Sequence, residues 1–251
     1  VARQETHVSH IFLAGDRVYK LKKQIRFPYL DFSTLEARRR ACATEVAINR
    51  RTAPALYLGM VAVTDEGTGR LALGGAGAPL EWVVEMRRFP DGALFTHLAD
   101  AGALNRRLME GLADSIQAFH AAAEVDHEYG GAAGVVAIID NNDASFRRTQ
   151  GDLFNAGAVD ALTAGSRQLQ AGLAALLDAW QKDGRVRHCH GDLHLGNICL
   201  FEDKPTLFDA IEFNDAFARI DVLYDLAFLL MDLDFRGHRR LASFVLNRYL
   251  D

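Results

Sequence analysis

The feature that most constrains the fold is the segment from His188 to Asn197, together with the acidic stretch that follows it. The segment reads H-C-H-G-D-L-H-L-G-N, with Asp192 five residues before Asn197. An apolar run at 198–200 leads away from Asn197, and a second run at 206–208 leads into Asp209. Interpreted as strand, turn and strand, this pattern predicts a β-hairpin whose open end brings Asp192, Asn197 and Asp209 together.

Two carboxylates and an amide at one end of a hairpin suit phosphoryl transfer. Asp192 would orient the attacking hydroxyl as catalytic base, and Asn197 with Asp209 would hold Mg²⁺ on nucleotide phosphates. His190, Asp192, Leu193 and Asn197 also fit the spacing H-x-D-L-x-x-x-N of kinase catalytic loops. The sequence therefore favours a kinase that uses ATP and Mg²⁺.

The same segment resembles the catalytic loop of the aminoglycoside phosphotransferase family, which shows H-G-D-L-H-x-x-N and then an Asp on the next strand. The resemblance is sharp only from His190 to Asp225, and Asp209-Ala210 replaces the D-F of protein kinases. It implies an α+β, two-lobed protein-kinase-like fold. A small nucleotide-binding N-lobe, residues 1–88, would hold an antiparallel sheet plus one helix. A larger, mainly helical C-lobe, residues 89–251, would hold the catalytic and substrate-binding groups.

A phosphate-contacting lysine is predicted on a strand near the amino terminus. Residues 6–23 are typical of two strands joined at Gly15-Asp16. Lys20 follows Val18 in the manner of the kinase V-A-I-K pattern, and Lys22 shares its face of the strand because side chains alternate. Lys20 is the candidate, Lys22 is the second candidate, and an exposed edge-strand lysine is the structural alternative.

Residues 33–52 predict a helix that begins with a capping box of Ser33 and Glu36. Kinase chemistry requires a glutamate of this helix to hold the strand lysine. Glu36 is used in the predicted cap, which leaves Glu45 in mid-helix as the partner of Lys20. An ordinary surface acid is the alternative for Glu45.

The remaining nucleotide contacts follow from the resemblance. It implies that the backbone from Glu85 to Arg88 hydrogen-bonds adenine and that Met86 lines the adenine pocket, although Met86 could equally be core. The stretch from Thr6 to Ser9 would cover the phosphates with hydroxyls and backbone N–H groups. The glycines of 65–69 and 74–79 precede a strand and not a helix, so they predict hairpin loops and no phosphate cradle.

The rest of the chain is predicted to be largely helical. Residues 104–124 and 160–181 have helical periodicity, and a buried helix is expected from about 220 to 233. Residues 125–143, rich in Gly and Asn, predict a loop or short helix that could line the substrate cleft. His120 is expected to be a packed histidine, and Asp225 a brace beneath the catalytic loop.

Composition gives further expectations. The chain has 251 residues, a net charge of −5 and 49% apolar residues, enough for a sizeable core. No apolar run reaches about 18 residues, so no membrane span is predicted. With no secretory leader at the start and an odd number of cysteines, we expect a cytoplasmic protein. The expected partners are a nucleotide and a small molecule, not nucleic acid or a membrane.

The acceptor is a small molecule for a local reason. Only a short segment separates Asp209 from Asp221, which leaves little room for a peptide-docking loop, and Gly191 stands where protein kinases have Arg. We expect a hydroxyl of an aminoglycoside, a sugar or an amino alcohol to receive the γ-phosphate. Similar chains are often joined to a second ATP-binding domain, and late C-lobe helices are expected beyond residue 251.

Two alternatives remain open from sequence. A metallohydrolase could use His188, His190, Asp192 and His194 at alternating positions as metal ligands. A catalytically silent kinase-like module could bind nucleotide without turnover. Slow ATP hydrolysis without an acceptor would favour the kinase, and stoichiometric zinc would favour the hydrolase.

Overall fold

The computed structural model describes residues 1–27, 29–67, 69–149 and 153–251. The amino-terminal part is a six-stranded antiparallel sheet in the order β1-β2-β3-β8-β6-β7. The strands of this part, including the separate pair β4-β5, are β1 (Ala2–Glu5), β2 (Ser9–Ala14), β3 (Arg17–Lys22), β4 (Arg26–Phe27), β5 (Leu30–Asp31), β6 (Tyr57–Asp65), β7 (Leu71–Leu73) and β8 (Ala78–Arg87).

The predicted amino-terminal hairpin is confirmed. Strands β2 and β3 pair in the register Ile11 to Lys20, and Gly15 turns the chain with a φ of 62°. That backbone conformation is open to glycine at no steric cost, which explains why the turn begins there. Strands β6 and β7 also form a predicted hairpin, pairing Asp65 with Leu71, although Thr68 of its loop lies outside the described residues.

Helix α1 (Leu35–Asn49) packs against β6 and β8. Its cap differs from the prediction, because Thr34 and not Ser33 accepts the hydrogen bond from the Ala37 amide, at 3.1 Å. The Ser33 hydroxyl instead donates to Asp31, at 2.6 Å. Two adjacent hydroxyl residues compete for the cap, and the bond to Asp31 draws Ser33 out of it.

The second part of the chain is mainly helical. Its helices are α2 (Phe95–Asp100), α3 (Arg106–Ala122), α4 (Gly131–Arg148), α5 (Ala156–Lys182), α6 (Asp215–Ala218), α7 (Val222–Phe235) and α8 (Arg239–Leu250). The predicted helices at 104–124, 160–181 and 220–233 correspond to α3, α5 and α7. A buried apolar cluster joins α2, α3, α7 and α8, with Leu112, Ile116 and Leu229 fully buried. None of the helices in the described ranges is long and apolar enough to cross a membrane.

The prediction for residues 125–143 was wrong. Instead of a loop or a short helix, most of this range forms α4, an 18-residue helix that packs along α5. The two glycines that suggested a loop, Gly130 and Gly131, lie at its start with φ values of 73° and 62°. They turn the chain into the helix, and the Ala- and Val-rich remainder then packs by one face.

Four short strands flank the predicted catalytic segment, residues 188–197. These are β9 (Val186–His188), β10 (Ile198–Phe201), β11 (Lys204–Leu207) and β12 (Arg219–Asp221). The predicted hairpin is confirmed as β10-β11, which pairs Ile198 with Leu207 and turns at Glu202 and Asp203, both with positive φ. Two consecutive positive φ values are typical of a type I′ turn.

Candidate active site

Asp192 and Asn197 are joined by hydrogen bonds at the start of the β10-β11 hairpin. The side-chain amide of Asn197 donates to the Asp192 carbonyl oxygen at 2.9 Å and to its carboxylate at 3.0 Å. A single turn of 3-10 helix, Leu195–Asn197, folds the chain back between them. Because the NH₂ group faces Asp192, the carbonyl oxygen of the Asn197 side chain is left to accept or to ligate.

His194 is the second partner of Asp192. Its Nε2 lies 3.4 Å from the Asp192 carboxylate, and both side chains are partly exposed. The hydrogen bond that His194 donates to the Asp192 carboxylate raises the pKa of His194. Burial by itself would raise the pKa of Asp192, but the contact with His194 outweighs it and the pKa is lowered. Asp192 is therefore an ionised carboxylate that can accept a proton or a hydrogen bond.

Asp225 on α7 braces the catalytic segment from below. It accepts hydrogen bonds from the amides of His190 (3.1 Å) and Gly191 (2.8 Å) and from Nε2 of His120 (3.0 Å). All of these groups are buried, and Nδ1 of His120 lies within hydrogen-bond distance of the Tyr249 hydroxyl, at 2.9 Å. The place of Asp225 was predicted from the sequence, whereas His120 was expected only to be a packed histidine.

The histidines of the hydrolase alternative do not converge. His190 is buried and its Nε2 contacts the carbonyl oxygen of Phe208 at 2.9 Å. Burial lowers the pKa of His190. Within the described ranges, the group of three ligand-type residues close enough for one metal ion is His120, Cys189 and Asp225. Asp225 already accepts three hydrogen bonds there, so a metal would have to break a satisfied buried network.

Asp209 lies just past the end of β11 in a conformation rare for a residue with a side chain. Its φ is 63°. Two residues of the amino-terminal part hold it: the Tyr57 hydroxyl accepts from the Asp209 amide at 3.2 Å, and the Asn49 side chain accepts from the Ala210 amide at 2.9 Å. Neither of these two contacts was predicted from the sequence, although the position of Asn49 on the buried face of α1 was an available signal.

A chain of ion pairs links the sheet, α1 and the acidic stretch. Lys20 Nζ lies 2.6 Å from Glu45 Oε1 and 2.5 Å from Asp209 Oδ1. Lys22 Nζ lies 2.5 Å from Glu45 Oε2 and also contacts Glu212. Both lysines and Glu45 are buried, so the edge-lysine and surface-acid alternatives do not apply.

The pKa values of these groups follow from competition between burial and charge. Burial would lower the pKa of Lys20, but Asp209 and Glu45 outweigh it and the pKa is raised. Burial would raise the pKa of Asp209 and of Glu45, and the lysines lower both. Burial does raise the pKa of Glu212 despite its contact with Lys22.

A cavity of about 310 Å³ opens beside this chain of ion pairs. Predicted site residues that line it are Thr6, Lys20, Met86, Arg88, Asn197 and Asp209. Apolar side chains from both parts of the chain, among them Val18, Leu94 and Phe208, form the rest of the wall. The cavity therefore has an apolar side and a charged side.

The predicted adenine-binding backbone is partly occupied. The Arg87 amide donates to the Leu56 carbonyl and the Arg88 amide to the Asp16 carbonyl, at 2.8 and 2.9 Å. These two N–H groups are therefore not free to bind a base. Glu85 is paired within the sheet, and its carboxylate accepts from the Tyr19 hydroxyl at 3.4 Å.

The stretch from Thr6 to Ser9 is the turn between β1 and β2. The Ser9 amide donates to the Thr6 hydroxyl oxygen at 3.0 Å, and the Thr6 amide donates to the Ser9 carbonyl at 2.9 Å. Thr6 reaches the cavity, whereas Ser9 is buried, and its hydroxyl has no hydrogen-bond partner among the described residues. The turn closes on itself and offers the cavity little more than Thr6.

Three solved structures have the same arrangement of sheet and helices. A choline/ethanolamine kinase family protein from Mesorhizobium loti matches with a TM-score of 0.52 and 15% identity, over 99% of this chain and 68% of that chain. Aminoglycoside phosphotransferase APH(3'')-Id from Streptomyces rimosus matches with a TM-score of 0.52 and 16% identity, over 99% and 85%. Its complex with ADP and streptomycin matches with a TM-score of 0.51 and 16% identity, over 94% and 80%.

The chain has a protein-kinase-like fold. The predicted α+β class is confirmed, with the antiparallel sheet and α1 as the N-lobe and the helical part as the C-lobe. The cavity lies between them, since its lining comes from both. The boundary at residue 88 stays a prediction.

Sequence relatives add no function. Uncharacterized proteins Mb2027c of Mycobacterium bovis and Rv2004c of Mycobacterium tuberculosis are each 32% identical over 256 residues, which is 98% of this chain and 48% of theirs. The chain thus spans about half the length of the curated relatives it matches. No family model matches the chain.

Proposed function

We propose that this chain transfers the γ-phosphate of ATP, with Mg²⁺, to a hydroxyl of a small molecule. The observation that carries the proposal is the shared cavity edge, where Lys20, Asn197 and Asp209 line one space. Glu45 contacts Lys20, and Asp192 contacts Asn197. Positioned cations, metal ligands and a carboxylate are the groups on which phosphoryl transfer depends.

The metal-binding part rests on oxygen donors of the right kind. Asp209 presents a carboxylate to the cavity, and Asn197 has a side-chain oxygen left over from its bonds to Asp192. Mg²⁺ prefers such carboxylate and carbonyl ligands and keeps several waters. When bound, Mg²⁺ would neutralise charge on the phosphate oxygens. The residues present fit that ion.

The other residues have roles that follow from their contacts. Lys20 would give up its contact with Asp209 and would contact the phosphates instead. Glu45 would keep the Lys20 ammonium in place. Asp192 would accept the hydrogen bond of the acceptor hydroxyl and align it. Met86 and Thr6 line the cavity and would contact base and phosphates. Arg88 also lines it, with its backbone N–H already paired, whereas Ser9 and Glu85 are not among its lining residues.

The proposed acceptor is an aminoglycoside-like compound, a sugar or an amino alcohol. Two structural neighbours support the class, because one is a choline/ethanolamine kinase family protein and one holds ADP and streptomycin. Locally, Gly191 has a φ of 82°, and a Cβ there would lie 2.8 Å from the Phe217 carbonyl oxygen. The arginine of protein kinases does not fit this backbone, which argues against regulation by a phosphorylated loop. A cytoplasmic location and a fused or separate ATP-binding partner domain belong to the same proposal.

Calorimetry with ADP tests the nucleotide and metal parts together. The wild-type chain should bind ADP with Mg²⁺ and bind it far more weakly with EDTA, whereas Asp209→Ala should lose the Mg²⁺-dependent part. Lys204→Met is the control, because Lys204 is exposed in the β10-β11 hairpin and lies outside the cavity. An ADP-release assay over aminoglycosides, sugars and amino alcohols then identifies the acceptor.

Absence of ADP binding by the folded wild-type chain would refute the proposal. Binding without turnover on any acceptor, and without slow ATP hydrolysis, would assign the chain to the silent nucleotide-binding modules. Stoichiometric zinc in the purified protein would reopen the hydrolase alternative.

A further inference from the structure

Lys22 and Glu212 form a second buried ion pair beside the proposed site. Lys22 is 3% exposed and its ammonium contacts Glu212 of the acidic stretch and Glu45 of α1. The same ammonium lies 5.3 Å from the centre of the Phe32 ring. Phosphoryl transfer, as proposed above, uses Lys20, Glu45 and Asp209 and leaves this pair without a role.

Stability alone is a poor explanation for the pair. Desolvating two charges costs several kcal/mol for each ion, and apolar residues of similar volume often serve as well or better in such positions. Burial would lower the pKa of Lys22, but Glu212 and Glu45 outweigh it and the pKa is raised, so Lys22 is charged. A buried ion pair that adds so little stability is better explained as fixing the positions of the groups around it.

The first group whose position Lys22 restrains is the Glu45 carboxylate. One oxygen of its carboxylate contacts Lys20 at 2.6 Å and the other contacts Lys22 at 2.5 Å. If only Lys20 held it, Glu45 would depend on a single lysine whose other partner, Asp209, is exchanged for phosphates when nucleotide binds. With Lys22 on the other oxygen, the carboxylate stays in place.

The second group whose position Lys22 restrains is the acidic stretch, through Glu212. Residues 209–212 are tied to the N-lobe at four points: Asp209 to Lys20, the Asp209 amide to Tyr57, the Ala210 amide to Asn49, and Glu212 to Lys22. Nucleotide binding would release the first of these, because Asp209 is needed by the metal. Of the three contacts that remain among these described residues, the one between Lys22 and Glu212 joins two charges.

We propose that Lys22 is a positioning residue: through Glu212 and Glu45 it keeps the Asp209 stretch and the Lys20–Glu45 pair in place while Lys20 exchanges Asp209 for nucleotide phosphates. The inference rests on the proposed function for its purpose. Its mechanical part, the restraint of residues 209–213 by Lys22, is testable without any nucleotide.

The test compares Lys22→Met and Glu212→Gln with Arg38→Met. Arg38 is a matched control, because it is also a buried N-lobe cation in an ion pair, with Glu81 at 2.7 Å. Among the described residues its hydrogen bonds go to Glu81 and to the Phe32 carbonyl, not to the acidic stretch. Hydrogen exchange of the nucleotide-free proteins should show residues 209–213 opening about tenfold faster in both test variants. The control should lose global stability without that local change.

Calorimetry supplies the second readout. Lys22→Met should weaken binding of Mg²⁺-ADP by about tenfold and Lys22→Arg should restore most of it, since the arginine keeps the charge between the two carboxylates. Glu212→Gln keeps the side-chain shape and loses only the charge, so it decides the matter if Lys22→Met fails to fold. Arg38→Met should bind as the wild type does.

The outcomes separate the two proposals. If the wild type binds Mg²⁺-ADP and Glu212→Gln shows wild-type exchange at 209–213 and wild-type binding, Lys22 has no positioning role. If Arg38→Met produces the same local change, the effect is general loosening and the inference is again wrong. If the wild type binds no nucleotide, the proposed function fails, whereas the exchange comparison still decides the restraint.

Discussion

The bond network of Asp225 makes a stability prediction that can be worked out from the structure. Asp225 Oδ1 accepts from the Gly191 amide, and Oδ2 accepts from the His190 amide and from His120. Asp225→Asn keeps one acceptor oxygen and turns an NH₂ group towards an N–H donor. At least one buried donor then has no acceptor, which costs about 1–3 kcal/mol, and the remaining bonds lose the assistance of the charge.

The expected loss for Asp225→Asn is therefore roughly 2–4 kcal/mol, against a total stability of about 5–15 kcal/mol for a typical domain. Urea unfolding followed by far-ultraviolet circular dichroism at pH 7 measures it. Tyr249→Phe is the control, because it removes only the outer hydroxyl bond to His120 and should cost about 1 kcal/mol.

The pH dependence gives a second check on the same variant. Burial alone would raise the pKa of Asp225, but the bond to His120 outweighs it, so the pKa lies below its ordinary value of 3.8. A group with a lowered pKa stabilises the fold above its unfolded pKa and loses that effect as the pH falls through the folded value. The deficit of Asp225→Asn should be constant near neutral pH and shrink below pH 3.8. A variant within about 1 kcal/mol of wild type at pH 7 would refute the reasoning.

Three further predictions concern the catalytic segment and the thiols. Asp192→Asn should lower turnover by ~10²–10⁴ while calorimetry shows nearly unchanged ADP binding, and equal turnover would remove Asp192 from the mechanism. The contact with Asp192 raises the pKa of His194 above 6.5, so this ion pair stabilises the fold at low pH and loses that effect as the pH rises through the raised value. His194→Gln should therefore lower Tm more at acidic than at alkaline pH. An equal loss of Tm at both would contradict the pairing. Burial raises the pKa of the Cys42 and Cys199 thiols to about 12 and also raises the pKa of Cys189. A thiol reagent at pH 8 should therefore label none of the three before urea is added. Rapid labelling of the native chain would show instead that the thiols are accessible.

Local patterns allowed the catalytic hairpin to be predicted. Its members lie close in sequence, and the apolar runs around them have strand length. Spacing therefore predicts the observed contact of Asp192 with Asn197 and the common cavity of Asn197 and Asp209. The hairpin β2-β3 was predictable for the same reason, because Gly15 marks its turn and alternation gives its faces. What these have in common is that a few neighbouring residues determine the geometry.

The contacts between the lobes could not be predicted in this way. Asn49 reaches Ala210 and Tyr57 reaches Asp209 across 161 and 152 residues of chain. No period or spacing encodes such a pair, since it exists only once α1 and β6 have packed against the C-lobe. Lys22 shows the same limit. Glu45 was predicted as the partner of Lys20 from kinase chemistry, but alternation only places Lys22 on the same face and does not indicate its contacts with Glu45 and Glu212.

Charge balance connects the fold to the metal ion of the proposed function. The chain of ion pairs joins two lysines to three carboxylates, those of Glu45, Asp209 and Glu212, so its formal charge is −1. A nucleotide polyphosphate, itself an anion, would be repelled by a surplus of negative charge at a partly buried cavity, where screening by water and salt is weak. Under the proposed function, Asp209 would hold a divalent cation, which would supply positive charge there, and Lys20 would then be free of its carboxylate. The arrangement that would make Asp209 a metal ligand would thus also make nucleotide binding depend on the metal, while Lys22 would stay with Glu45 and Glu212 throughout.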